Sequence, residues 1–149
     1  MNDEYFMNQA IALAKEAAEE GEVPVGAVVV LDGKIVGKGR NRREISKNAL
    51  AHAEIEAINE ACRALGGWRL WQCDMYVTLE PCPMCTGAII NSRIKRLVYG
   101  ASDYKAGSCG SVVDLFSLPY NHKPEVVSGV MQEECAALLT DFFKKLRKK

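Results

Sequence analysis

The chain lacks a long apolar run. Its best stretch, Val23 to Leu31, is broken by Pro24 and Gly26. A membrane-spanning helix needs roughly 20 predominantly apolar residues, so no membrane span or membrane partner is expected. The start, Met1-Asn2-Asp3-Glu4, is polar and acidic, which argues against a signal peptide. Net charge is also lacking, because 19 Lys and Arg balance 19 Asp and Glu. There is no internal repeat, low-complexity tract or linker. These absences leave the 149 residues to one domain, 1–149, long enough to bury a proper core. They predict a protein of the cytoplasm.

What is present is ordinary in bulk and uneven in detail. The composition is 48% hydrophobic and 26% charged, as in soluble globular proteins. The first helix and its exit carry Glu16, Glu19, Glu20 and Glu22. Arg40, Arg42 and Arg43 form one basic cluster, and Lys144, Lys145, Arg147, Lys148 and Lys149 form another. A zero total therefore leaves room for an anionic partner, since local patches set the field. There are six cysteines. Without a secretory context they argue for metal or redox chemistry rather than a disulfide framework.

The pattern of apolar residues predicts an order of elements. Residues 3–20 read as a helix, with Phe6, Ala10, Leu13, Ala14 and Ala17 at helical spacing, Asp3 as cap and Gly21 as stop. Strands at 26–31 and 34–39 flank Asp32-Gly33, a tight-hairpin signal. A helix at 52–64 ends at Gly66-Gly67. A strand at 75–79 feeds a helix from Pro81 to about Arg93, followed by a strand at 97–99. Residues 101–111 read as a loop rich in Gly and Ser. Val126 and Val127 suggest a fifth strand. A last helix from about Gln132 carries Cys135, Leu138, Leu139, Phe142 and Leu146 on one side. This order predicts an α/β fold of three layers, α/β/α, around a central mixed five-stranded sheet.

The chemistry is carried by His52-Ala53-Glu54 and Pro81-Cys82-Pro83-Met84-Cys85. One imidazole, two thiols and a spare carboxylate suit catalytic zinc, which takes three protein ligands and keeps one position open. His52, Cys82 and Cys85 are the expected ligands, and Glu54 the proton carrier beside them. Cys82 and Cys85 are three apart, so the first turn of a helix puts both sulfurs on one side. Pro81 and Pro83 suit a helix start, and a helix N-terminus favours thiolate over thiol. Glu54 is two residues from His52 and shares no helical stripe with it, so it is better placed as a neighbour of the metal than as a ligand. It could take a proton from water as hydroxide attacks an amidine-like carbon, then protonate the leaving amine. Two other readings remain: a structural zinc with Cys73 or Cys109 as fourth ligand, and a C-x-x-C redox pair. The second leaves His52 and Glu54 unexplained.

The paired motif is the known signature of zinc nucleobase deaminases, and the chain resembles the cytidine deaminase superfamily. More closely it resembles the bacterial tRNA-specific adenosine deaminases. The similarity runs through Glu22-Val23-Pro24-Val25-Gly26-Ala27, Thr78-Leu79-Glu80-Pro81-Cys82-Pro83-Met84-Cys85, Gly100-Ala101-Ser102-Asp103, Lys105-Ala106-Gly107, Asn121-His122 and Glu134 to Leu139 before Phe142-Phe143. The resemblance implies a cytidine deaminase-like fold, one Zn²⁺ per subunit, and hydrolytic deamination of adenosine to inosine at the wobble position of a tRNA anticodon. It implies a homodimer acting on the anticodon loop, with an arginine tRNA as the expected substrate. By position it assigns Asn41, Val25 and Ala53 to the pocket for the flipped nucleoside. It assigns Asp103, Lys105, Asn121, His122 and Phe143 to the anticodon loop.

By their residue types alone these positions read more plainly. Asn41 follows a glycine as turn residues often do. The arginines read as a solvated face, Asp103 as a loop acid and His122 as a structural hydrogen-bonder. Phe143 fits a core, a subunit interface or a base stack. The terminal cations offset the dipole of their helix. A deaminase of small molecules such as cytosine, guanine or dCMP shares the metal site, and a non-catalytic zinc domain that binds RNA is a third reading.

Overall fold

The computed structural model describes residues 2–148; Met1 and Lys149, the latter counted above in the basic end, lie outside them. Among the described residues the chain runs α1 (Asp3–Glu19), β1 (Gly26–Leu31), β2 (Lys34–Arg40), α2 (Arg43–Ser46), α3 (Ala53–Leu65), β3 (Asp74–Leu79), α4 (Pro83–Ser92), β4 (Arg96–Ala101), β5 (Glu125–Ser128) and α5 (Gln132–Arg147), with a 3-10 turn at Leu115–Ser117. The strands form one five-stranded sheet in the order β2-β1-β3-β4-β5. β1 is antiparallel to β2 and to β3, whereas β3, β4 and β5 are mutually parallel. This is the mixed sheet with helices on both faces that the order of elements predicts.

Strand alternation explains the three layers. Successive side chains of β1 point to opposite faces. Ala27 and Val29 pack with Ala53 and Ala57 of α3 and with Ile89 and Ile90 of α4. Val28 and Val30 pack with Phe6, Met7 and Ala10 of α1 and with Cys135 of α5. Because both faces are covered, β1 reads as a continuous apolar run rather than an alternating one. Val28, Val29 and Val77 are fully buried, each burial contributing about 1.5–3 kcal/mol relative to exposure.

Two local features set the position of α3. Asp32 and Gly33 both have positive φ, 50° and 77°, the twist that a two-residue hairpin requires. β2 therefore folds back directly along β1. At Gly39 a Cβ would overlap the backbone carbonyl of Ala53. The missing side chain lets the first turn of α3, which carries Glu54, lie against β2.

Some expectations change. α1 is capped by Asn2, whose Oδ1 accepts the Tyr5 N–H at 2.9 Å, and not by Asp3. Asp3 instead pairs with Arg96 at 2.7 Å and accepts the Tyr76 hydroxyl at 2.7 Å. α2 and the 3-10 turn were not expected; both are too short to show periodicity. α4 begins at Pro83 with Cys82 as its cap. The apolar stripe of α5 is only partly covered. Cys135 is buried, but Leu146 is 54% exposed, since the packing against the sheet and α1 stops near Leu138.

Candidate active site and metal centre

The site forms where β3 ends and α3 and α4 begin. Leaving β3, the chain passes Glu80 and Pro81 to Cys82, the N-cap of α4, and places Cys85 in the first turn. His52 is the N-cap of α3. Neither His52 nor Cys82 spends its side chain on capping, so both are available to a ligand. His52 Nδ1 lies 3.7 Å from Cys82 Sγ and 3.6 Å from Cys85 Sγ. The three ligand atoms fall within 4.8 Å of one another. An imidazole and two thiols converging at helix N-termini are chemically matched to a thiophilic divalent metal. Among the described residues Cys73 and Cys109 do not join the group. Cys73 belongs to the core cluster, and the Cys109 sulfur lies 3.4 Å from Thr86 Oγ1.

The electrostatics suit the same purpose. A hydrogen bond from the Cys85 thiol, joined by one from His52, brings Cys82 down to about 4 against the opposing effect of burial. That same bond, with burial, pushes Cys85 upward. The pair thus holds one thiolate easily, and a cation would release the second proton. His52 is raised, chiefly by its bond to Cys82. Glu54 is 4% exposed, and burial above all pushes its carboxyl up to about 7. An acid in that range exchanges protons readily near neutrality.

A cavity of about 200 Å³ opens over this group, with Val25, Asn41, Arg43 and Asp103 lining it beside His52, Glu54 and Cys82. Asn41 is buried, and its Oδ1 accepts the Ala53 N–H at 3.0 Å. Ala53 itself is fully buried in the core and contributes its backbone N–H. Lys105 and Phe143 line a neighbouring depression of about 380 Å³ with Leu146 and Arg147. Asn121 and His122 are not brought to the cavity. His122 Nε2 lies 2.7 Å from the Ile94 carbonyl, just before β4, while the metal ligands follow the far end of β3. The six residues of β4 separate those ends by about 20 Å. Of the arginine cluster, Arg40 pairs with Glu20 at 2.7 Å and Arg42 lies 3.9 Å from Glu56. Only Arg43 reaches the cavity lining.

The profile of the MafB19-like deaminase family matches residues 1–147. The chain is 51% identical over 148 residues to a tRNA-specific adenosine deaminase of Bacillus subtilis (strain 168), covering 99% of this chain and 92% of the relative. It is 49% identical to one of Haemophilus influenzae, covering 97% and 85%. The chain belongs to the tRNA-specific adenosine deaminase family. A solved structure from a study of A-to-I editing by tRNA:A34 deaminases at the wobble position of transfer RNA superimposes with a TM-score of 0.88. It shares 48% identity and covers 91% of this chain and 99% of its own. A guanine deaminase from Bacillus subtilis is more distant, at 35% identity and a TM-score of 0.68, covering 100% of this chain and 96% of its own.

Two acids that organise this family member's site were not singled out by residue type. Glu22 is 2% exposed, and its carboxylate accepts the N–H groups of Glu44 and Ile45 at 3.1 and 2.7 Å. It thereby caps α2, which presents Arg43. Glu80 is also 2% exposed. Burial works to raise its pKa, but bonds from Ser111, Asp103 and Cys109 prevail and leave it lowered. The only sequence signal for either is an acid next to a strand or motif boundary, which surface acids share.

Proposed function

We propose that this chain hydrolyses the 6-amino group of adenosine at wobble position 34 of a tRNA anticodon, giving inosine and ammonia. The observation that carries the reading is the shared cavity. The His52-Cys82-Cys85 group and Glu54 open onto the same space as Asn41 and Asp103, in a chain about half identical to tRNA-specific adenosine deaminases. Enzymes that act on a base take it out of the stack into a closed pocket, and a cavity of about 200 Å³ suits one extruded base.

His52, Cys82 and Cys85 would hold one zinc ion per subunit. When bound in such a set, zinc lowers the pKa of water from 15.7 to about 7. Glu54 takes a proton from the attacking water while a C–O bond forms at the amine-bearing carbon. It returns that proton to the amine as the C–N bond breaks, so one carboxyl serves as base and then as acid. Asn41, held by the Ala53 N–H, orients the nucleoside, and Val25 supplies an apolar wall. Asp103, Lys105 and Phe143 meet the surrounding loop, where aromatic stacking and cationic contacts recognise splayed RNA bases and phosphates. The bond between His122 and the Ile94 carbonyl supports a structural role for that residue. The whole chain, 1–149, acts as one deaminase domain and as a homodimer, with an arginine tRNA as substrate in the cytoplasm. No helix among the described residues is long and apolar enough to cross a membrane.

The test is incubation of zinc-loaded protein with an anticodon stem-loop bearing a wobble adenosine, beside free adenosine, guanine and cytosine. Inosine in the stem-loop alone is expected. Its absence, with metal bound and the fold intact, sinks the reading. Turnover of a free base, unchanged on removing residues 144–149, would favour a small-molecule deaminase.

A further inference from the structure

A buried acid that the chemistry above does not use stands two residues before Cys82. Glu80 has no cationic partner among the ion pairs of the described residues. Its charge is held by neutral donors instead. Oε1 accepts the Asp103 N–H at 3.1 Å and the Ser111 hydroxyl. Oε2 accepts the N–H groups of Cys109 and Ser111 at 3.0 and 3.1 Å. Both oxygens are engaged, and every donor belongs to the loop between β4 and the 3-10 turn. The backbone adds two stitches: Glu80 N–H to the Ala101 carbonyl at 2.8 Å, and Ser108 N–H to the Pro81 carbonyl at 2.9 Å. Gly107 approaches the carboxylate so closely that a Cβ there would overlap it.

The loop so gathered supplies part of the cavity wall, through Asp103 and Ala106. Glu80 and Pro81 lead directly to Cys82 on the cavity floor. One carboxylate therefore sets the floor against the wall. Hydrogen bonds to an ionised acceptor are the strong ones, about twice a neutral bond, and donors left buried without a partner are costly. Glu80 adds four side-chain bonds to the loop's own backbone bonds. None of the bonds to its carboxylate comes from His52, Glu54, Cys82 or Cys85.

We propose that Glu80 is a positioning residue for substrate recognition. It fixes the 103–111 loop as a wall at a set distance from the metal ligands, so that the nucleotide entering the cavity meets a preformed surface. This rests on the tRNA reading above. The role differs from metal binding, because the loop and not the ligand set depends on the bonds. It also differs from bulk stability, because the consequence falls on substrate binding.

The test is Glu80→Gln, which keeps the shape but turns one acceptor into an amide that faces N–H donors. Metal content, amide hydrogen exchange, and KM and kcat on the stem-loop are measured. We expect exchange at Asp103, Cys109 and Ser111 to quicken, KM to rise about tenfold or more, kcat to change less, and metal to stay at the wild-type level. Ser111→Ala, which removes one donor, shifts KM the same way by a smaller factor, and it decides the matter if Glu80→Gln does not fold. Wild-type KM despite faster exchange overturns the proposal. So does a fall in kcat accompanied by metal loss at unchanged KM. If the wild type forms no inosine, the substrate reading fails, and the exchange rates still decide whether Glu80 holds the loop.

Discussion

The Asn41 side-chain oxygen accepts the Ala53 N–H at 3.0 Å, between His52 and Glu54 in sequence. One bond therefore ties the end of β2 to the first turn of α3. The two roles of Asn41 can be separated. Asn41→Asp keeps an acceptor for a helix N-terminus, where a carboxylate is favoured, but loses the amide donor of a residue that lines the cavity. We expect near-wild-type thermal stability with kcat/KM lower by about 10²-fold. Asn41→Ala should lose the same activity and also about 1–2 kcal/mol of stability in urea titration. Equal destabilisation by both variants would show that the amide serves only the fold.

Metal should mask the thiols in a definite order. Cys82 is half-buried with a pKa brought down to about 4, while Cys62, similarly accessible, is raised by burial. The thiolate is the reactive form. With zinc bound, a disulfide reagent at neutral pH should find Cys82 protected. A strong chelator should expose it as the fastest-reacting thiol, with Cys85 following slowly because it is buried. Peptide mapping of the labelled protein reports this order, and labelling of Cys62 ahead of Cys82 after chelation would contradict it.

The ion pair of Asp3 and Arg96 predicts a pH dependence away from the site. The Arg96 guanidinium, through its hydrogen bonds, holds Asp3 below the usual value of 3.8. A carboxyl whose folded pKa is depressed contributes stability above its unfolded pKa and loses it as pH falls through the folded one. The loss therefore falls below about pH 4. Both side chains are partly exposed, at 31% and 21%, so the contribution is roughly 1 kcal/mol. Thermal melts of wild type and Asp3→Asn should converge below about pH 4 and differ by this amount at pH 7. A constant difference across that range would refute the assignment.

Close packing of β2 on α3 predicts that Gly39→Ala is costly. A Cβ there meets the Ala53 carbonyl, which is backbone and cannot swing aside. Overpacking of this kind typically costs 1–3 kcal/mol. Because Ala53 lies between His52 and Glu54, activity should fall as well. Denaturant titration and stem-loop turnover together check both parts.

The layers of the fold were legible because β1 and the amphipathic helices bury whole faces, and a buried face leaves a period in the sequence. The hairpin was legible because positive φ at Asp32 and Gly33 needs that kind of dipeptide. The candidate metal group was legible because few residue types offer soft donors, and the two motifs placed them at helix starts. Glu22 and Glu80 were not legible. Their importance comes from donors 22 to 31 residues away in the chain, and nothing in an acid's own type announces that it will be buried. The same limit applied to α2, whose first N–H groups are met by the distant Glu22. Asn121 and His122 were linked to RNA only by resemblance; within this chain His122 Nε2 lies 2.7 Å from the Ile94 carbonyl.

The proposed function turns on Glu54 as the proton carrier of a zinc-dependent deamination of tRNA. A tRNA pool containing wobble adenosine is treated with wild-type protein or Glu54→Ala and digested to nucleosides, and the zinc content of both proteins is measured. Inosine at position 34 is expected with the wild type. A loss of about 10²–10⁴-fold is expected with Glu54→Ala at unchanged zinc content. Undiminished inosine formation by Glu54→Ala, with zinc retained, would contradict it.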